Sequence, residues 1–504
     1  MTVAGTVKIE MQLAGTAGAW TDVTTDVQYP VRCSYGITGN TITDRVASTG
    51  YLSFDLDNSS SNSSGTMGYY SPGATTVRGG FAPGITTRLS YANGTVSKVF
   101  HGHIPSDGIQ TEPLQYSNRK THVTAVDWMD YAAEFPIELE AVQTDKRIDE
   151  VVTDIVSMMP IPPLNTDYDT GQETFSYVYD TLTGKTRAIR EFQKLANSEF
   201  GYIYVKRDAD GEQLTVDARY TKSVTTSSGT IDDVMMGMSS AYGANYANRV
   251  KVTSYPRQID AAATTVLASL QKTITLTTGE SVTLVQKYRD PTGGSNMVSG
   301  TDMVSPASTT DYLMNAAADG GGADLTADLD VTANYGSDGV QWILVNNNAA
   351  TGYVTHLQCR GKGIYFFDPT ASIQEDSTGI DLHGEKETSV DQQYQDNPLA
   401  SDAAAQYWSI RLATLRDDIQ GVTYNPNRTQ ALMDLFLSAD IGDKFTLSET
   451  VTGLSSEIYL INGIDFEIAP SGFITCTYIP FLAIGESFWR LSYSQLDIST
   501  TLGY

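Results

Sequence analysis

The chain has 504 residues, of which 40% are hydrophobic, so it is long and apolar enough for several packed domains. Its 59 acidic and 32 basic residues give a formal net charge of −27, which opposes sequence-independent binding to phosphate backbones and anionic lipids. Three widely spaced cysteines argue against a disulfide framework. Without a basic, apolar leader or an apolar run that could span a bilayer, we expect a soluble protein made in a cytoplasm.

The N-terminal segment, residues 1–126, is predicted to form a β-barrel, because short alternating stretches are separated by turn residues. Residues 51–57 have an apolar side chain at every second position, which is typical of a strand with one buried face. The serine- and asparagine-rich tract that follows, residues 58–67, is expected to be an exposed loop facing solvent or a partner. Strands within 213–255 are candidates to complete this barrel.

An α+β insert domain is predicted over residues 127–212. Apolar residues at helical spacing indicate one helix over 143–159 and a second over 186–198. A hairpin with its turn at 208–211 is expected to follow them.

The remaining chain is predicted to hold two further units. Residues 248–375 favour a β-rich domain, in which the glycine-rich insertion 295–339 is expected to be a long loop. Residues 376–504 favour a helix over 401–415 and a second tube-like β-barrel that pairs with strands of 248–295. The predicted fold class is therefore mostly β with an α+β insert, multidomain, with two tube-like barrels.

A short internal repeat links the two predicted barrels. Residues 83–90 and 441–448 both contain a glycine followed by Leu-Ser at the same offset. Each copy continues into a hairpin, a short apolar stretch and a second glycine, Gly102 or Gly463. Chance similarity between two hairpins and a duplication are both compatible with so short a match, and a duplication would give two equivalent barrels.

No residue set predicts catalysis, a cofactor or a metal site. His101 and His103 share a strand face without a third ligand nearby. Residues 183–186, Thr-Gly-Lys-Thr, resemble the end of a phosphate-binding loop, but Tyr179 occupies the position of its first glycine. A turn that leads into a helix is the favoured interpretation of this stretch.

Two acidic segments resemble calcium loops only in part. Asp208, Asp210 and Gly211 are spaced like the start of such a loop, but Arg219 stands where its bidentate glutamate is required. The acidic residues of 295–339 favour a solvated loop instead of a calcium site; they are Asp319, Asp324, Asp328 and Asp330. The chain also has no Gly-x-Ser-x-Gly motif and only five histidines that could act as a base, so no motif in the sequence indicates hydrolase chemistry.

A series of weak motifs along the chain follows the order in which they occur in a known protein family. In the N-terminal part they are Asp44-Arg45, Leu56-Asp57-Asn58, Tyr69-Tyr70, Pro83-Gly84 and Phe100-His101-Gly102-His103-Ile104. In the C-terminal part they are Asn425-Pro426-Asn427, Asp440-Ile441-Gly442-Asp443, Ser448-Glu449-Thr450 and Thr501-Leu502-Gly503-Tyr504. Together they resemble the minor tail proteins of long-tailed bacteriophages.

The resemblance implies a tail hub at the distal end of the tail tube, with a fold similar to the hubs of contractile phage baseplates. Such hubs are typically homotrimers in which each subunit contributes two tube-like barrels, so three chains imitate a sixfold ring. The implied partners are the hexameric distal tail protein, the tail tube, the tape-measure protein and tail-fibre or receptor-binding proteins. The implied location is the virion tail tip, where DNA passes without specific binding.

Two other functions are compatible with the sequence. A peripheral tail-tip protein that binds a receptor glycan would be favoured by aromatic residues clustered in an exposed groove. A tail-associated cell-wall hydrolase would need a convergent carboxylate or metal site, for which the sequence offers no constellation.

Overall fold

The structure, a computed structural model, describes residues 3–15, 18–113, 119–138, 140–180, 186–208, 211–219, 226–294, 297–482, 488–489 and 501–502. The chain is mostly β and multidomain, as predicted. In this part of the chain no barrel closes, and the strands of the two predicted barrels belong instead to one continuous 14-stranded sheet. The expected turn at 208–211, the Thr-Gly-Lys-Thr stretch and the final Gly-Tyr lie partly or wholly outside the described residues.

The N-terminal half of the large sheet is formed by eight strands. They are β1 (Thr6–Gln12), β2 (Thr21–Asp22), β3 (Val27–Gly36), β4 (Ser48–Asp57), β5 (Thr86–Asn93), β6 (Val96–His103), β7 (Ile109–Glu112) and β8 (Lys120–Val126). Leu52, Phe54 and Leu56 of β4 are buried while their neighbours are partly or fully exposed, so the predicted half-buried strand is confirmed.

The tract after β4 differs from the predicted exposed loop, because Asn58 and Asn62 are buried. The Asn62 side-chain amide donates to the Ser59 and Thr66 carbonyl oxygens, at 2.7 and 2.8 Å. The Asn58 side-chain oxygen accepts from the Tyr70 N–H at 2.8 Å. The expectation was wrong for these two residues, since asparagine satisfies backbone groups inside a loop as readily as it meets water.

In its described residues, the insert after β8 contains three helices and seven strands. They are α1 (Met129–Glu134), β9 (Pro136–Ile137), β10 (Gln143–Lys146), α2 (Ile148–Met158), β11 (Asn165–Tyr168), β12 (Phe175–Val178), β13 (Thr186–Arg187), α3 (Ala188–Glu199), β14 (Tyr202–Asp208) and β15 (Gly211–Asp217). The first predicted helix, 143–159, starts later than expected, because residues 143–146 form β10 and pair with β12. The Arg147 N–H donates to the Glu150 carboxylate at 2.9 Å and marks the start of α2.

A separate apolar core supports the β domain that follows β18 (Arg249–Ser254). Its strands are β19 (Arg257–Ile259), β20 (Thr265–Ser269), β21 (Ile274–Leu276), β22 (Ser281–Lys287), β23 (Val298–Thr301), β24 (Tyr312–Asn315), β25 (Leu329–Tyr335), β26 (Gly339–Asn346) and β27 (Gly352–Phe366). The segment 295–339 is therefore not a loop: it contributes β23, β24 and β25, and Val298, Met314 and Leu329 are buried in this core. Serine, glycine and threonine hid β23, which is buried throughout although it contains only one large apolar residue, and β25 alternates with exposed polar residues.

A three-stranded sheet and two helices link this domain to the large sheet along the chain. The elements are β28 (Thr370–Glu375), α4 (Ser377–His383), β29 (Glu387–Gln392) and α5 (Pro398–Leu412), with β18 in the centre of the sheet. The helix predicted over 401–415 starts earlier, because the Asn397 side chain caps it by accepting from the Leu399 N–H and Pro398 takes the first helical position.

The C-terminal half of the large sheet uses strands from two separated segments. They are β16 (Ser227–Ile231), β17 (Gly237–Tyr242), β30 (Asp417–Tyr424), β31 (Lys444–Glu449), β32 (Leu454–Ile468) and β33 (Ile474–Leu482), with α6 (Gln430–Ser438) between β30 and β31. Two short strands, β34 (Phe488–Trp489) and β35 (Thr501–Leu502), pair with each other. The segment 213–255 was expected beside the N-terminal strands, but its β16 and β17 pair with β31 and β30.

The large sheet runs in the order β17-β30-β33-β32-β3-β4-β8-β6-β5-β1-β2, with β7 beside β8 and β31 between β16 and β32. The two halves meet where β3 pairs with β32. Among the helices that the structure describes, none is long and apolar enough to cross a membrane.

Candidate assembly interface

The two hairpins of the internal repeat have the same backbone hydrogen bonds. The Gly84 N–H donates to the Ile104 carbonyl at 2.7 Å, and the Ile104 N–H donates back to the residue after the glycine at 3.0 Å. In the other copy, the Gly442 N–H donates to the Ile461 carbonyl at 2.8 Å, and the Ile461 N–H donates back in the same way at 2.9 Å. Both glycines have φ of +86°, a left-handed conformation that favours glycine. The repeat therefore extends to backbone geometry.

The repeat also extends to the order of the strands. One set of strands, β3-β4-β8-β6-β5, and a second set, β17-β30-β33-β32-β31, lie side by side in the sheet in equivalent order. Both sets also follow the same order along the chain, and all their neighbouring strands are antiparallel. We call the strands β3–β8 module one and the strands β17 and β30–β33 module two.

Strand β32 corresponds to β6 and β7 taken together. Ile109 of β7 faces Val123 of β8, as Ile464 of β32 faces Tyr478 of β33. Counted from the matching Ile104 and Ile461, module one has two additional residues before this point, where its strand is interrupted. Strand β7 is therefore the detached end of the module-one counterpart of β32.

The second glycine of the sequence repeat is not equivalent in the two copies. Gly102 lies inside its hairpin opposite Thr87, whereas Gly463 lies beyond its hairpin, opposite Gly36 of the other module. The outermost strands differ as well, since β1 runs antiparallel to β5 but β16 runs parallel to β31. The equivalence is therefore confined to the two modules.

The junction between the modules is an antiparallel pairing of six residues in β3 with six in β32. Gly36 has φ of +102°, and a Cβ atom there would lie 2.5 Å from the Asn462 carbonyl oxygen, so the chains approach too closely for a side chain. Arg32 and Glu467 form an ion pair of 2.8 Å across the junction, with both side chains largely exposed. Strand pairing, and not this surface ion pair, therefore holds the modules together.

A buried arginine joins the insert to both modules. The Arg207 guanidinium on β14 lies 2.7 Å from the Asp127 carboxylate, and both side chains are at most 2% exposed. It also stacks over the rings of Tyr35 and Phe100, at 4.4 and 4.5 Å from their centroids. The backbone N–H of Arg207 donates to the Asp440 carboxylate, just before β31, at 2.6 Å. The alternation of β14 gave no sign of this role, because a charged residue in a strand usually faces water.

Two titratable groups lie beside this arginine. Burial raises the pKa of Glu212 to about 7, although the Arg207 guanidinium 4.0 Å away opposes the shift. Burial lowers the pKa of His101 to about 4, and the positive charges of Arg207 and Arg88 act in the same direction. The two side chains are 3.9 Å apart. A neutral pair here avoids placing further uncompensated charge in the core.

The structure places the other residues considered from sequence in ordinary packing roles. His103 stacks on Tyr131 with ring centroids 4.1 Å apart, so the histidine pair does not converge on one point with a third ligand. Asp319 and Asp324 accept hydrogen bonds from nearby backbone N–H groups. Asp328 and Asp330 accept from the side chains of asparagines that follow β26. Within the described ranges, no group of three histidine, cysteine or acidic residues has the geometry of a metal site.

A cavity of about 570 Å³ lies where α5 meets the start of β30 and the end of β33. Four aromatic residues, Tyr246, Trp408, Tyr459 and Phe481, contribute to its lining together with arginine, aspartate and asparagine side chains. Trp408 is buried, and its indole N–H has no hydrogen-bond partner among the described residues. This size and mixture of apolar walls and a few polar groups are typical of a small-ligand site.

No protein-family model matches the chain, and no curated protein matches it. The solved structures that are similar to it include three tail proteins. One is a tail protein from Neisseria meningitidis MC58, 8% identical, with a TM-score of 0.48, covering 94% of this chain and 96% of that chain. The second is the 43 kDa tail protein of prophage MuSo2 from Shewanella oneidensis, 8% identical, with a TM-score of 0.49, covering 94% and 98%.

The third is a prophage tail protein from Listeria monocytogenes EGD-e, 7% identical, with a TM-score of 0.41, covering 94% of this chain and 94% of that chain. All three similar proteins are described as tail proteins. Their TM-scores lie below 0.5, so these likenesses carry no weight for function.

Proposed function

We propose that the chain is a structural protein of a bacteriophage tail, the hub at the distal end of the tail tube. Three copies surround the channel through which DNA leaves the virion, and they connect the tube to the parts that contact the host. The repeated module supports this proposal most directly, because one chain carries the same strand order twice within one sheet.

The repeat has a use in such an assembly. A hexameric tube presents six equivalent positions around its axis, and three copies of a chain with two similar modules supply six similar surfaces. Three copies of a single-module chain would leave half of the positions without a match. The remaining parts of the chain, including the insert and the domain of β19–β27, are then free to contact the distal tail ring, the tape-measure protein and fibre or receptor-binding proteins.

The charge of the chain suits a channel for DNA. A net charge of −27 per copy repels phosphates, so a duplex slides past without being held. Removing acidic side chains from the channel wall should slow DNA ejection triggered in purified virions, in proportion to the charge removed. Unchanged ejection after such removal, or a basic wall in the assembled ring, would contradict this part of the proposal.

The position in the virion is tested by imaging. Tails purified from virions that carry an affinity-tagged copy of this chain can be decorated with gold particles and examined by electron microscopy. We expect the label at the distal end of the tube and on its axis. Label along the fibres, or at the end that joins the head, would contradict a hub.

The aromatic-lined cavity favours a second candidate function, the binding of a receptor glycan. Tyr246 and Phe481 are only partly buried and could stack on a sugar ring. A glycan array probed with the protein and with a Tyr246→Ala variant tests this function. Binding to a defined glycan that is lost in the variant would support it, and absence of binding by the parent protein would reject it.

A further inference from the structure

Four strands of the large sheet, β2, β7, β16 and β17, pair on one side only among the described residues, and two of them, β7 and β17, belong to the repeated modules. Strand β17 pairs with β30 on one side only, and five of its six residues are exposed. Strand β7 pairs with β8 on one side only, and three of its four side chains are exposed. Unpaired edges offer rows of backbone donors and acceptors to another chain, and proteins usually cover them or protect them with charge.

Strand β17 lacks the usual protection of an edge. Its sequence, Gly-Met-Ser-Ser-Ala-Tyr, contains neither lysine nor proline. Met236 and Tyr242 at its ends are 60% and 68% exposed, so apolar side chains flank the open edge. An uncharged, exposed edge of this kind is suited to pairing with another strand.

The module equivalence identifies the partner of this edge. Strand β17 occupies in module two the place that β3 occupies in module one, and β7 corresponds to the part of β32 that pairs with β3. The pairing β3·β32 joins module one to module two inside the chain. The equivalent pairing would join β17 in module two of one copy to β7 in module one of another copy.

We propose that β17 of one copy pairs antiparallel with β7 of a second copy, in the manner of β3 with β32. This inference rests on the proposed function, since it supplies the contact through which copies close into a ring. Around the ring, β3·β32 pairings within a copy alternate with β17·β7 pairings between copies. Each module therefore pairs with its two neighbours in the same way.

The equivalence also gives the register. Arg32 faces Ser53 of β4, and its counterpart Ser239 faces Gly421 of β30. Glu467 faces Thr475 of β33, and its counterpart Glu112 faces Lys120 of β8. Because Arg32 faces Glu467 across the internal junction, Ser239 of one copy should face Glu112 of the next.

Mixed cysteine variants test this pairing. The three native cysteines are buried, so they do not compete. A Ser239→Cys chain and a Glu112→Cys chain are mixed, allowed to assemble and mildly oxidised, so that a disulfide between the two kinds of chain has to be intermolecular. The matched control replaces Glu112→Cys with Thr111→Cys, whose side chain points to the opposite face of the same strand. The mass of the parent assembly is measured in parallel.

We expect several times more cross-linked dimer from the Ser239 and Glu112 pair than from the control, and covalent trimers from a chain that carries both cysteines. An assembly of three copies with no excess of cross-link over the control overturns this pairing and leaves the ring proposal standing. A parent protein that stays a single copy at every concentration also overturns the pairing. If the gold label nevertheless lies on the tube axis at the distal end, the proposed function stands and only the pairing has failed.

Discussion

Module one and module two follow the same path through the sheet but differ in what connects their strands. Between β4 and β5, module one has an irregular segment held by the buried side chains of Asn58 and Asn62. At the equivalent point, between β30 and β31, module two has the helix α6 with five buried apolar residues. The modules therefore share only their strands and strand edges. For this reason we expect copies of the chain to associate through the sheet.

The helix of module two also packs on module one, which strengthens their junction. It contacts β5 and β6, and Phe436 lies edge to face with Tyr91 at 5.9 Å. The Lys98 ammonium donates to the Ala439 carbonyl at 2.7 Å in a buried setting. The two modules thus form one packed unit, whereas the outer edges of β17 and β7 stay open.

The largest expected effect comes from breaking the buried ion pair that joins the insert to the modules. Replacing Arg207→Met leaves the Asp127 carboxylate buried without its partner, so we expect the free energy of unfolding to fall by about 3–5 kcal/mol in urea titrations. The matched control is Arg32→Met, which removes an exposed pair of nearly the same length and should cost about 0–1 kcal/mol. Equal losses in the two variants would show that burial does not decide the strength of these pairs.

The next largest effect is expected at the junction between the modules. A Gly36→Ala substitution places Cβ 2.5 Å from a backbone oxygen in a left-handed conformation, so we expect a loss of about 2–3 kcal/mol. Gly65→Ala serves as the control, because Gly65 has φ of +67° and open space around it, and only a backbone cost of about 1 kcal/mol applies. A loss at Gly36 no larger than that at Gly65 would contradict the close approach of β3 and β32.

The equivalence of the hairpins predicts two matched losses. Gly84→Ala and Gly442→Ala each force alanine to φ of +86°, which should cost about 1–2 kcal/mol. Thermal and urea unfolding should show this backbone cost in both variants, with any additional loss at Gly442, which is buried whereas Gly84 is exposed. A loss in one variant alone would show that the two glycines have different roles.

The smallest effect is expected from the pH dependence of Glu212. Its folded pKa is raised to about 7, so its contribution to stability is full below its ordinary value of 4.5 and is lost as the pH rises through 7. Relative to the parent, Glu212→Gln should therefore become more stable by about 1 kcal/mol between pH 6 and 8. His101 has a lowered pKa, so its contribution is full above its ordinary value of 6.5 and is lost as the pH falls from there toward 4, equally in both proteins. A difference that is constant over this range would contradict the buried, protonated carboxyl.

Local patterns in the sequence predicted much of the fold. The alternation in residues 51–57 and the apolar spacing of α3 and α5 were sufficient, because each pattern depends on neighbours in the chain. The beginning of the predicted first helix and the segment 295–339 were misjudged, because β10, β23 and β24 exist through pairing with distant strands. Strand β25 forms a local hairpin with β26, and its alternation was overlooked. Helices α1, α4 and α6 are short and gave no clear periodic signal.

The candidate interface was visible in the sequence only in part. The shared Gly and Leu-Ser spacing revealed the repeat, but it suggested that Gly102 and Gly463 were equivalent, and the strand register shows otherwise. Neither the roles of Arg207 and Asp127 nor the open edges of β17 and β7 could be predicted, since they depend on which strands are neighbours in the sheet. Strand order is a long-range property that periodicity does not encode.

The central claim is that one chain supplies two equivalent modules to a ring, and cryo-electron microscopy of the distal tail end tests it most directly. A reconstruction without imposed symmetry should show three copies of this chain around the tube axis, six similar modules, and β17 of each copy beside β7 of the next. A different number of copies, or modules that do not alternate around the axis, would contradict it.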